Sequence, residues 1–70
     1  MNNKDIRKKL ADNIRLLRAK KRFSQEAIAS IAGIGQNQIS EIENEHSNPN
    51  LETLIRIANA LNIEMSKLFE

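Results

Sequence analysis

Seventy residues with a net charge of +2 and 40% hydrophobic side chains fit one domain, near the smallest size whose core holds without staples. The absence of Cys excludes disulfides and thiolate metal sites and permits a reducing compartment. No apolar run approaches the roughly 18 residues of a membrane span, and the start MNNKDIRKK lacks the apolar stretch of a secretion signal, so a cytoplasmic protein is expected.

The opening few residues are expected to fray, and a first helix is predicted from about Lys4 or Asp5 to Lys20. Ile6, Leu10, Ile14 and Leu17 recur at spacings of four, four and three, an inward stripe, with Leu16 off it. Residues 1–22 also hold Lys4, Arg7, Lys8, Lys9, Arg15, Arg18, Lys20, Lys21 and Arg22 against Asp5 and Asp12, whereas residues 23–70 hold two cations and seven Glu. One end of the fold must be basic. Such runs are usually solvated helix faces, and the cations near Lys20 also suit the helix dipole.

The stretch from Gln25 to Asn44, QEAIASIAGIGQNQISEIEN, reads as two short helices and a turn. Ser24 is the N-cap of the first, Gln25 to Ala32 its body, and Gly33 the positive-φ residue that ends it. Gly35 opens a second helix that reaches about Asn44. Ile28, Ala29 and Ala32 then face Ile39 and Ile42, with Ile34 plugging the turn and Ala29 small enough for a close crossing. This is a helix-turn-helix, about residues 24–44.

EHSNPN, holding the one Pro of the chain, reads as a loop. Asn50 caps a fourth helix with Glu52 in its first turn, and Leu51, Leu54, Ala58 and Leu61, joined by Ile57, form its inward stripe. Asn62 is a left-handed stop, and Ile63 enters the core. A short fifth helix, about Met65 to Phe69, closes the bundle through Leu68 and Phe69, with Glu64 a poor N-cap. The predicted architecture is all-α, five helices in a single domain over residues 1–70.

Ser24–Gln25, Ala29, the Gly33–Ile34 turn, Ile39, Ile42 and Glu43, with I-R-x-L-R at Ile14–Arg18, NPNLETLIRIANALNI at Asn48–Ile63 and KLF at Lys67–Phe69, closely resemble the phage repressor and Cro, or Xre-like, helix-turn-helix family. The resemblance covers nearly the whole chain and implies a lambda-repressor-like DNA-binding domain. It also implies that Arg18, near the end of the first helix, pairs with Glu43. Arg22 and Asn62 stand where members commonly carry Gly, so Arg22 is expected to be left-handed and strained.

For catalysis the residues are poor: one His, no Cys, no phosphate-binding glycine loop and no set of converging carboxylates. His46 is a better phosphate contact than a metal ligand, since a metal needs several converging side chains. Neither metal nor cofactor is implied.

For DNA they are good. A helix fits the major groove, where Gln and Asn amides bond adenine in bidentate fashion. Gln36 and Asn37, at the N-terminal end of the second helix of the motif, are the expected base contacts. Gln38 lies on the flank nearer the sugar-phosphate wall, Ser40 faces outward, and Glu41 accepts from a cytosine amino group or repels wrong partners. An isolated side chain of any of these types is ordinarily just solvated.

That helix carries no Lys or Arg, so affinity must come from phosphate contacts beside it. Candidates are Ser24 and Gln25 at a helix N-terminus, Lys21 and Arg22 next to them, and Asn44, His46, Ser47 and Asn48 in the following loop. The family resemblance supports Gln25 and the loop; Lys21 and Arg22 follow from charge and proximity.

The function expected is a sequence-specific transcription regulator on a double-stranded, two-fold DNA operator, working as a homodimer through Ile55 and Met65, where family members pair through their C-terminal helices. No membrane or small-molecule partner is implied. Its length resembles stand-alone regulators such as the controller proteins of restriction-modification systems. The alternative is an antitoxin-like protein-interaction module with secondary DNA binding, for which the chain has little room for a partner-wrapping segment.

Overall fold

Four α-helices end in four left-handed caps, although the chain has only two glycines. The computed structural model describes residues 3–70 and gives α1 at Asn3–Lys20, α2 at Gln25–Ala32, α3 at Gln36–Glu43, α4 at Leu51–Leu61 and a 3-10 helix at Met65–Phe69, with no strand among the described residues. The first residues expected to fray, Met1 and Asn2, lie outside those described, and α1 is already formed at Asn3.

The caps share one wiring. After α1, Phe23 N–H donates to the Arg18 carbonyl and Arg22 N–H to Ala19; after α2, Ile34 donates to Ala29 and Gly33 to Ser30. After α3, His46 donates to Glu41 and Glu45 to Ile42; after α4, Ile63 donates to Ala58 and Asn62 to Asn59. Each is a Schellman closure, and the left-handed residues are Arg22 (φ 59), Gly33 (φ 72), Glu45 (φ 64) and Asn62 (φ 57). The residue after the cap is apolar in three of them, and Phe23, Ile34 and Ile63 all pack on the core.

Arg22 is left-handed, as the family resemblance implies, whereas the positive φ of Glu45 was not visible in EHSNPN. A side chain there costs about 1–2 kcal/mol. Replacing Arg22 with Gly relieves that strain but loosens the unfolded chain by about 0.4–1 kcal/mol. A gain of up to about 1 kcal/mol is therefore expected in urea unfolding of Arg22→Gly; a loss of stability would mean that the Arg22 side chain holds the turn.

The helix starts follow the predicted chemistry. Ser24 Oγ accepts from Ala27 N–H at 2.9 Å and Asn50 Oδ1 from Thr53 N–H at 2.8 Å. At Gly35, which has no side chain to offer, Gln38 reaches back and its Oε1 accepts from the Gly35 N–H at 3.1 Å.

The core is aliphatic and centred on Ile14, Ile28, Ile39, Ile57, Leu61 and Leu68, all fully buried. Around them, α1 meets α3 and the 3-10 helix, while α2 meets α3 and α4. Ile6 and Leu51 depart from their predicted stripes. Ile6 is half-exposed near the open end of α1, and Ala11 takes a buried place instead. Leu51 is 62% exposed, because it is the first residue of α4 and the helix enters the core only further on; Thr53, one turn before Ile57, is buried in its stead.

The predicted fifth α-helix is also corrected. Met65–Phe69 is a 3-10 helix with no side-chain cap from Glu64, held by an i to i+3 bond from Lys67 N–H to the Glu64 carbonyl. Five residues are too few to repay α-helix nucleation, so the tighter turn suffices to deliver Leu68 to the core. The bundle is thus four α-helices and a 3-10 turn.

Candidate nucleic-acid interface

The alternation of the motif puts Ile39 and Ile42 inward on α3 and leaves Gln36, Asn37, Gln38, Glu41 and Asn44 exposed, with Ser40 half-buried. Residues 36, 37, 40, 41 and 44 form one outward stripe at helical spacing. Gln38 stands apart, because its carboxamide oxygen is spent on Gly35.

What aims this stripe is the last residue of α3. Glu43 is only 3% exposed, and a buried carboxylate must be paired and hydrogen-bonded. Arg18, from the end of α1, donates Nε to Oε2 at 2.9 Å and Nη2 to Oε1 at 3.1 Å, a bidentate fork. Gln25, the first residue of α2, adds Nε2 to Oε1 at 3.0 Å. Arg18 also donates Nη1 to the Phe23 carbonyl at 2.9 Å, and Arg15 donates to the Glu43 carbonyl while its Nε lies 4.0 Å from Oε1. One carboxylate therefore ties α3 to α1 and to the start of α2. Among the described residues no buried side-chain polar atom lacks a partner.

Arg15 was not singled out from the sequence. The available signal was its position three residues before Arg18, which puts both on one helix face; that two arginines converge on one carboxylate requires the fold.

The candidate phosphate contacts fall into two groups flanking α3. Lys21, Arg22 and Ser24 are exposed at the α1–α2 turn, and Gln25 is half-buried there with its amide nitrogen committed to Glu43. On the other side, Asn44, His46 and Asn48 are exposed and Ser47 is half-buried. Asn44 Nδ2 lies 3.4 Å from Ser40 Oγ, and His46 Nδ1 lies 3.8 Å from Glu41 Oε2, too long for a hydrogen bond. Asn48 Oδ1 accepts from Arg7 Nε at 2.7 Å. Ile55 and Met65 lie elsewhere, lining a shallow groove with Ala58, Asn59, Ile63 and Glu64.

Among the described residues no cluster of His, Asp or Glu is arranged to hold a metal ion, and no helix is long and apolar enough to cross a membrane.

Residues 14–68 match the HTH_3 helix-turn-helix family, a span that runs from the core residue Ile14 to Leu68. The chain belongs to this Xre-like family. That makes it a DNA-binding transcriptional regulator. It is 41% identical over 64 residues to the control protein C.SmaI of Serratia marcescens, covering 91% of this chain and 76% of that protein. The crystal structure of the restriction-modification controller protein C.AhdI from Aeromonas hydrophila is similar at a TM-score of 0.87 and 32% identity, covering 90% of this chain and 96% of that one. The structure of the hypothetical transcription factor NHTF from Neisseria superposes with a TM-score of 0.90 at 32% identity, over 97% of this chain and 76% of that chain.

Proposed function

We propose that this regulator binds a two-fold operator as a homodimer in the cytoplasm, in the manner of a restriction-modification controller protein. The observation that carries the proposal is the buried Glu43 tie, which fixes α3 against α1 and α2 while its opposite face stays polar and exposed. Gln36 and Asn37 read base edges, and Ser40 and Glu41 contact the next bases along the groove. Gln38 serves α3 as its cap and reaches the groove wall with Nε2. Lys21, Arg22, Ser24 and Gln25 on one side and Asn44, His46, Ser47 and Asn48 on the other hold the phosphates. Gln25 does so from the backbone N–H end of α2, because its amide is engaged.

The second copy joins through the groove of Ile55 and Met65, widened by Leu51, which lies one turn before Ile55 on the outer side of α4. The similarity to C.SmaI and C.AhdI supports the controller-type role.

Selection of bound duplexes from a random library tests the reading, with enrichment expected of an inverted repeat whose half-sites lie about 10 base pairs apart. On the selected operator, Gln36→Ala is expected to lose about 1–3 kcal/mol for its preferred base alone. Lys21→Ala or Arg22→Ala is expected to weaken binding to every sequence alike and to make the log K against log salt slope shallower by about 0.9 per contact. Equal loss on operator and random DNA in Gln36→Ala would remove it from base reading, and unchanged slopes in both basic variants would put the turn away from the DNA.

A further inference from the structure

α1 carries its basic face well past the helix-turn-helix. Arg7 and Arg18 are eleven residues apart, three helical turns to within about 20°, so they share a side of the helix. Arg18 ends on the Glu43 carboxylate, Arg15 on the Glu43 carbonyl, and Arg7 on Asn48. This side of α1 therefore runs along the whole edge made by the end of α3 and the loop after it, over about 16 Å.

On the DNA-binding reading above, we propose that Arg7 contacts a phosphate and positions Asn48 for the same strand, so that the N-terminal half of α1 lengthens the phosphate track. An Arg can only donate, so Asn48 must turn its carbonyl oxygen to Arg7 Nε and its Nδ2–H₂ outward. Binding through Nε leaves both terminal Nη groups for a second acceptor. A guanidinium fork and an amide donor side by side are the groups that bind phosphate oxygens.

The neighbouring cations are engaged differently. Lys8 makes an ion pair with Asp12 at 3.0 Å, and that hydrogen bond, more than the nearby Glu45, raises its pKa above the usual lysine value. Lys9 stands one turn before Asn13, which donates Nδ2 to the Leu68 carbonyl at 2.8 Å, so it lies toward the 3-10 helix. Arg7 is the one of the three whose bond reaches the loop.

The test is salt-dependent binding of the full chain to a selected operator and to random duplex of equal length. In Arg7→Ala the slope is expected to fall by about 0.9 on both, so the affinity gap to the parent narrows about 3.5-fold between 50 and 200 mM salt. Arg7→Lys, which keeps the cation, restores the slope. Asn48→Ala added to Arg7→Ala costs less than the product of the single losses, because the Asn48 donor is then already unheld. Lys9→Ala removes the same charge from the other side and keeps the parental slope.

A parental slope in Arg7→Ala overturns the inference, as does an equal fall in Lys9→Ala, which would reduce the effect to net charge. If Gln36→Ala still shows its base-specific loss in that case, the DNA-binding reading stands without Arg7. A parent that binds neither duplex overturns both.

Discussion

Replacing Glu43 with Ala is expected to destabilise the protein by about 3–5 kcal/mol. At about 0.05–0.15 kcal/mol per residue a domain of this length holds roughly 4–10 kcal/mol in all, so the variant is expected to be marginally folded at room temperature. The cost comes from what is left behind. Arg18 loses both bonds of its fork, and Gln25 loses its acceptor. Arg18→Ala leaves the buried carboxylate instead, but Arg15, with Nε 4.0 Å from Oε1, still supplies a cation. Its cost is therefore expected at the lower end of the same range. The double variant removes both charges together and is expected to cost much less than the sum of the two. Urea unfolding of the four proteins gives the cycle. Strictly additive losses would rule out the coupling, and single losses under about 1 kcal/mol would class the pair with solvated surface bridges.

The same carboxylate marks where reading the residues stops. The starts and two of the four turns were legible from a local chemical signature: Ser24 and Asn50 before apolar runs, Gly33 where φ must be positive, Asn62 before Ile63; the left-handed Arg22 came from the family resemblance, and Glu45 from the fold alone. The outward face of α3 was legible as the complement of Ile39 and Ile42. Nothing local says that Glu43, in a run of polar residues broken only by Ile39 and Ile42, is as buried as its neighbour Ile42; its partner Arg18 came from the family resemblance, and the shares of Arg15 and Gln25 came from the fold alone. Arg7 and Asn48 meet across 41 residues, a pairing no periodicity encodes. Leu51 was misplaced for a different reason. An apolar residue at the first position of a helix fits an inward stripe by spacing, yet the helix enters the core only further on, and Thr53 proves the better guide to its buried side. The 3-10 turn was mistaken for an α-helix because its inward residue Leu68 fits either period over so short a run.

Ile55→Glu is expected to abolish cooperative operator binding and to lower operator affinity by about a hundredfold or more, the scale of avidity lost when two linked sites become independent. Ile55 is 37% exposed and Leu51 more so, and neither belongs to the buried core cluster. Ile55 lines a shallow groove with Ala58, Ile63 and Met65, rimmed by the polar Asn59 and Glu64, an apolar centre with a polar rim of the sort an interface uses. A two-fold axis there would set the two copies of α3 about 34 Å apart, one turn of DNA. The patch is smaller than a stable interface requires, so the free dimer is expected to be weak and DNA to complete it. Glu is a good helix former, and at a half-exposed site it leaves the fold intact, which a matched melting temperature checks. Leu51→Glu, favourable to the dipole in the first turn of α4, is expected to act in the same direction and more weakly. Sedimentation of parent and variants on their own and with a full operator separates the outcomes. An unchanged dimer in Ile55→Glu, or a parent that stays monomeric even on operator DNA, would move the interface elsewhere, with the exposed Leu16 on α1 the next residue to test.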